Sequence, residues 1–189
     1  MDGLPNDSIG ANVTHSVLDH FILSLFDRGF ETAYDLQSDA GVSLGSSVPA
    51  LKRLEAAALV KRRVQVGSSK RPRHQFELTA TGRKLARGGW LSLLKDPPPS
   101  DLDSILRLVD VAQHYKAKVD DVAAFLDAAS SERRASTRSV RTGFREARVP
   151  LGIMATRAAW SASRLQAEAK FLERLAKSLS QKAPRVPKC

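Results

Sequence analysis

Between residues 14 and 27, apolar and polar positions alternate with a helical period, and Val17, Leu18, Phe21, Ile22, Leu25 and Phe26 share one stripe. Arg28-Gly29 stops this first helix. Thr32, with Asp35 three residues on, resembles a capping box and opens a short helix that turns Ala33, Leu36 and Tyr34 inward. Gly41 ends it. A third helix carries Val48, Leu51 and Leu54 at intervals of three, with Ala58 four further on. Pro49 is harmless only in a first turn, where N–H groups lack partners anyway, so this helix is expected to begin near Ser46.

The period then shortens to two. Val60, Arg62, Val64 and Val66 alternate with Lys61, Arg63 and Gln65; Gly67-Ser68-Ser69-Lys70-Arg71-Pro72 is a turn cluster; Gln75-Phe76-Glu77-Leu78 alternates again. Two short helices around a tight turn, a third helix and a basic hairpin make a winged helix-turn-helix. Thr79 or Thr81 caps a further helix with Leu85, Trp90, Leu91 and Leu94, and Lys95-Asp96-Pro97-Pro98-Pro99 is a hard break. Ser100 and Asp103 then cap a helix of Leu102, Ile105, Leu106, Val109 and Ala112. A further stripe holds Val119, Val122, Ala123 and Leu126, and the chain stays helical by pattern to about Ser180.

The predicted fold is mainly α with a small β-hairpin wing. A disordered lead (1–13) precedes a winged helix-turn-helix DNA-binding domain (14–95). An α-helical dimerisation or effector region (100–180) and a disordered basic tail (181–189) follow.

Charge sharpens this division. The formal net charge of +10 in 189 residues calls for an anionic partner. It is unevenly spread: residues 1–58 hold 3 basic and 8 acidic side chains, 59–90 hold 9 and 1, and 91–189 hold 18 and 11. The sign therefore flips where the wing begins, which a uniformly basic surface would not produce. Cys189 is the only cysteine, so no intrachain disulfide forms, in keeping with a reducing compartment. No apolar run approaches the ~20 residues that span a bilayer, and the N-terminus lacks a signal-peptide pattern. A cytoplasmic protein without membrane contact is expected.

The candidate DNA contacts divide by role. Ser46, Ser47, Ala50 and Lys52 or Arg53 occupy the first turns of the third helix, where hydroxyls, free N–H groups and cations meet base edges or phosphates. Ser46 and Ser47 have a plainer alternative as helix caps. Lys70, Arg71 and Arg73 lie at or near the hairpin tip, suited to the phosphate backbone or minor groove, whereas Lys61 and Arg63 serve equally as a solvated strand face.

In the last helix, Leu151, Ala155, Ala158, Ala162, Leu165, Ala169, Leu172 and Ala176 share one face, and Ile153, Trp160, Ala167 and Phe171 cluster nearly opposite. Two apolar faces need burial on both sides, one within the protomer and one across a homodimer axis. Trp160 and Phe171 suit either the dimer core or a stacking pocket for a small aromatic effector, with Arg157 or Arg164 meeting an acidic group. Arg134, Arg138, Arg141, Arg145 and Arg148 form a stripe, read as a solvated face or as a second track for phosphates or an acidic partner.

Catalysis has little support. His15, His20, His74 and His114 have no partner at metal-ligand spacing, and His20 reads as a polar-face residue. Neither a phosphate-binding glycine loop nor an activated nucleophile is present, so no enzyme activity, metal or cofactor is expected. The alternative to a DNA-binding regulator is an interaction module that uses the same scaffold and its basic C-terminal helix to bind an acidic partner.

One family fits these residues. The runs Ala33-Tyr34-Asp35-Leu36, Pro49-Ala50-Leu51-Lys52-Arg53-Leu54-Glu55 and Leu59-Val60, with Arg73, Phe76, Leu78-Thr79 and Gly82 in the wing and after it, resemble the PadR family of bacterial transcriptional regulators. The stretch Gln166-Ala167-Glu168-Ala169-Lys170-Phe171-Leu172-Glu173-Arg174-Leu175 is similar to the last helix of those proteins. The tyrosine that the family places before the proline is Val48 here. The resemblance implies a dimer on a near-palindromic operator in double-stranded DNA, joined through long C-terminal helices. It also implies a repressor that a small molecule releases.

Overall fold

A computed structural model describes residues 15–65, 73–146 and 152–182. The chain runs α1 (Val17–Asp27), α2 (Ala33–Ser38), α3 (Leu44–Ala56), β1 (Val60–Gln65), β2 (Arg73–Leu78) and α4 (Ala80–Gly88). A short 3-10 helix (Gly89–Leu94) leads into α5 (Leu102–His114), α6 (Val119–Glu146) and α7 (Ile153–Lys182). The terminal segments expected to be disordered fall largely outside the described residues. Among those described, no helix is long and apolar enough to cross a membrane, and no acidic, histidine or cysteine cluster is placed to hold a metal ion.

Local chemistry explains most boundaries. Ser16 and Asp19 form a capping box at α1, and Thr32 and Asp35 form the expected one at α2. Thr79 caps α4 by accepting from the Gly82 N–H, while its own hydroxyl donates to the Ala58 and Leu59 carbonyls. Gly82 is fixed by close approach: a Cβ there would lie 2.0 Å from the Leu59 carbonyl oxygen. That contact seats α4 on the turn between α3 and β1.

The antiparallel hairpin pairs Val60 with Leu78, Arg62 with Phe76 and Gln65 with Arg73. Phe76 and Leu78 point into the core, and Phe76 stacks on Phe26 with ring centroids 6.1 Å apart. The Phe76 N–H donates to the Glu31 carbonyl at 2.7 Å, which docks the wing on the α1–α2 turn.

The proline break does not divide the core. α5 folds back on α1, and Ile105, Leu108, Val109, Val111 and Ala112 join one apolar cluster with Phe21, Ile22, Leu25 and Leu54. Polar ties reinforce this junction: Arg28 pairs with Asp110 at 2.6 Å, and Asp27 accepts from the Tyr115 hydroxyl at 3.1 Å. Burial, with the adjacent Asp27 charge and hydrogen bond, holds the Tyr115 hydroxyl far above its ordinary pKa.

α6 and α7 then leave the head as an antiparallel two-helix arm. Val122, Phe125, Leu126 and Ala129 join one apolar cluster with Leu172 and Ala176, and Ala169 and Ala162 are buried further along the arm. Ser130 donates to the Ala169 carbonyl at 3.0 Å, and Arg133, only 3% exposed, pairs with Glu168 at 2.9 Å and donates to the Pro99 carbonyl. A buried ion pair contributes little net stability but penalises sliding, because any other register leaves a charge alone.

Candidate nucleic-acid interface

The helix-turn-helix geometry rests on α2, the turn through Gly41, and α3. Gly41 takes φ +66°, which L side chains rarely adopt, and the Val42 N–H bonds back to the Leu36 carbonyl at 2.8 Å. Leu36 and Val42 are fully buried on either side of this turn. The turn therefore fixes α3 against α1 and α2 through both backbone and core.

α3 begins two residues earlier than the sequence predicts. Ser43 is its N-cap, accepting from the Ser46 N–H at 3.3 Å, so the helix opens at Leu44 rather than near Ser46. Pro49 then lies beyond the first turn, where it offers no N–H to the Gly45 carbonyl four residues back.

The buried face of α3 also differs from the expected one. Ser47 and Ala50, expected at base edges, have no exposed surface and belong to the core face with Leu51 and Leu54. The Ser47 hydroxyl is buried with no hydrogen-bond partner. Val48, expected inside, is 40% exposed, and Tyr34, also expected inside, is 72% exposed. A helix that buries positions 47, 50, 51 and 54 must turn 45, 48, 49 and 52 outward at 100° per residue.

Ser46 and Lys52 are exposed, as a contact role requires. The Ser46 hydroxyl accepts from Ser43 at 3.0 Å, so Ser46 also belongs to the cap network. Arg53 is held differently. Its Nη2 donates to Asp19 Oδ1 at 2.8 Å, and Asp19 is 4% exposed, so this pair ties α3 to the start of α1.

The strands carry an uneven set of cations. Arg62 makes a two-pronged contact with Glu55 at 3.0 and 2.9 Å, and Arg63 pairs with Glu77 at 2.9 Å. Lys61 is exposed on the hairpin. Lys70 and Arg71 lie outside the described residues, and Arg73 is placed by its backbone opposite Gln65 at the start of β2.

His20 differs from its expected place on a polar face. It is 3% exposed, its Nδ1 has no partner, and its ring lies against Gly89 at the start of the 3-10 helix. Burial, helped by nearby His15 and opposed by Asp19, lowers its pKa to about 4. The only sequence signal was its position beside Asp19 and Phe21 in the α1 stripe.

The arm separates its two apolar faces. Ala162, Ala169, Leu172 and Ala176 pack on α6, whereas Ile153, Trp160 and Phe171 are 84%, 62% and 40% exposed. Leu151 lies outside the described residues. Arg164 sits over the Trp160 ring at 5.2 Å and also approaches Glu168 at 3.5 Å.

The arginine stripe is partly engaged inside the arm. Arg134 pairs with Glu173, and Arg141 donates to Gln166 at 2.8 Å. Glu173 is held below its ordinary pKa by a hydrogen bond from Lys177 and by the Lys177 and Arg134 charges. Arg148 and the Arg145 side chain lie outside the described residues.

These elements define a winged helix-turn-helix head carrying a two-helix arm. No protein-family model matches the chain, and no curated protein does. Among solved structures, the chain is similar to Bacillus subtilis PadR in complex with operator DNA, with 16% identity, 86% of this chain and 99% of that one covered, and a TM-score of 0.39. It is also similar to a PadR-like transcriptional regulator from Bacillus cereus, with 16% identity, coverage of 94% and 99%, and a TM-score of 0.34. A Streptococcus mutans UA159 protein gives 12% identity, coverage of 84% and 98%, and a TM-score of 0.34.

Proposed function

We propose that the protein is a dimeric, sequence-specific DNA-binding regulator that represses transcription by occupying promoter DNA. The observation that carries this reading is the outward face of α3, with Val48 and Lys52 in water, beside a hairpin whose residues 60–78 hold 6 basic and 1 acidic side chains. A helix fits the major groove, and a neighbouring cationic hairpin meets the flanking backbone. The bare apolar face of α7 supports a second copy, and two related heads would match a near-palindromic operator. Trp160, with Arg164 over its ring, is a platform where a small aromatic effector could enter the dimer interface and release DNA.

Salt dependence tests the electrostatic part. If each protomer engages roughly four phosphates, a dimer neutralises about eight, and the log–log slope of affinity against salt is near −7. Gel shifts at several salt concentrations, with excess nonspecific DNA, measure it. Retention of particular fragments with a steep slope is the expected result; no retention at low salt rejects the reading. The arginine stripe gives less support to an acidic protein partner, since Arg134 and Arg141 already have partners within the arm.

A further inference from the structure

Taking α3 as the major-groove helix, as the proposed function does, its outward face is short of groups that read bases by hydrogen bonding. The helix sequence Leu44–Ala56 holds neither Asn nor Gln, the residues whose amides pair with the adenine edge, and only one arginine. That arginine, Arg53, is bound to buried Asp19 at 2.8 Å. Ser47 is buried, and Ser46 is bonded to Ser43 through both its N–H and its hydroxyl.

An apolar pair remains. Leu44 and Val48 are 45% and 40% exposed and lie one helical turn apart, so their side chains are neighbours. Gly45 and Pro49, also exposed, flank them without long side chains that would hold an approaching surface away. Beyond this pair along the helix, Lys52 supplies a cation.

In the major groove, the edges of the base pairs present hydrogen-bonding atoms and one apolar group, the C5 methyl of thymine. We propose that Leu44 and Val48 read thymine methyl groups, so that thymines opposite the amino-terminal half of α3 specify each half-site. Lys52 then serves a guanine or phosphate beyond them. Specificity here comes from excluding water between methyl groups, and it discriminates less per position than a bidentate contact.

The test uses the full chain and begins from a random duplex library. Duplexes that the protein retains supply the preferred site, and each thymine in it is then replaced by deoxyuridine, which removes only the methyl group. Loss of one buried methyl is expected to weaken binding about fourfold, and only at one or two positions per half-site. Val48→Ala should weaken the thymine site by a similar factor and bind thymine and uracil versions alike. Val48→Thr, with the same shape, and Leu44→Ala provide second variants, each checked by its unfolding curve. Equal affinity for thymine and uracil sites, or discrimination that survives in both Val48→Ala and Leu44→Ala, overturns the assignment. Enrichment of no duplex at all rejects DNA recognition itself, and this inference with it.

Discussion

Trp90 is 2% exposed and Trp160 is 62% exposed, and each belongs to a region with a different way of reaching stability. Trp90 sits in the head, on the 3-10 helix that packs against α1, α4 and α5, and Tyr115 stacks on it with centroids 6.1 Å apart. Trp160 sits on the arm, where α7 packs on α6 with one face and leaves the other in solvent. A helix with one packed face and one bare apolar face is half of an interface. The head therefore completes its core within the chain, while the arm leaves Ile153, Trp160 and Phe171 uncovered, the face proposed to meet a second copy. Substitutions in the head should act on folding; those on the bare arm face should act on association.

The largest expected effect is in the head. Gly82→Ala forces a Cβ against the Leu59 carbonyl, a backbone atom that no side-chain rotation can move. A loss of at least about 3 kcal/mol is expected, measured by chemical unfolding, with helicity lost at lower denaturant. An unchanged midpoint would mean that α4 sits less tightly on the Leu59 turn.

On the arm, Trp160→Glu combined with Phe171→Glu should leave the protomer folded. Both side chains are exposed, so the core is untouched. The dissociation constant of the proposed dimer is expected to rise about 100-fold or more, read by sedimentation at several concentrations, with circular dichroism unchanged. If the variant remains dimeric, the partner surface lies elsewhere.

His20 gives the head a pH dependence. Its folded pKa of about 4 lies below the ordinary value of 6.5, so the unfolded chain binds the proton first as pH falls. This contribution is fully present above 6.5 and is lost progressively toward 4. From about pH 7.5 to about pH 5 the expected loss is about 2 kcal/mol. Urea unfolding at both pH values measures it, and His20→Leu should remove that share of the slope.

Ser47 offers the smallest effect and a direct check on the phase of α3. Its buried hydroxyl has no partner, so Ser47→Ala should leave DNA affinity unchanged and stabilise the head by about 1 kcal/mol. Weaker binding at equal stability would place Ser47 on the DNA side after all.

Much of the head was legible because its elements are specified locally. The capping box at Thr32 and Asp35, the turns at Gly29 and Gly41, and the change of period at Val60 each depend on residues within one or two turns. The opposed faces of α7 were legible for the same reason, since periodicity alone separates Leu172 from Trp160. The candidate site was less so. The spacing of Val48, Leu51 and Leu54 and that of Ser47, Ala50, Leu51 and Leu54 both fit a helical stripe, and only packing on the rest of the head chose the second.

The sequence by itself thus determined the order of elements, the basic hairpin and the two faces of the last helix, all set by short-range sterics and hydrophobic period. Tertiary structure decided which polar groups face inward. Asp19 and Arg53 are 34 residues apart, as are Pro99 and Arg133, and His20 meets Gly89 across the head. No local pattern encodes such meetings, because burial belongs to the element packed on top and not to the residue's neighbours in the chain. The outward face of α3 was settled in the same way, by the core that claimed the other one.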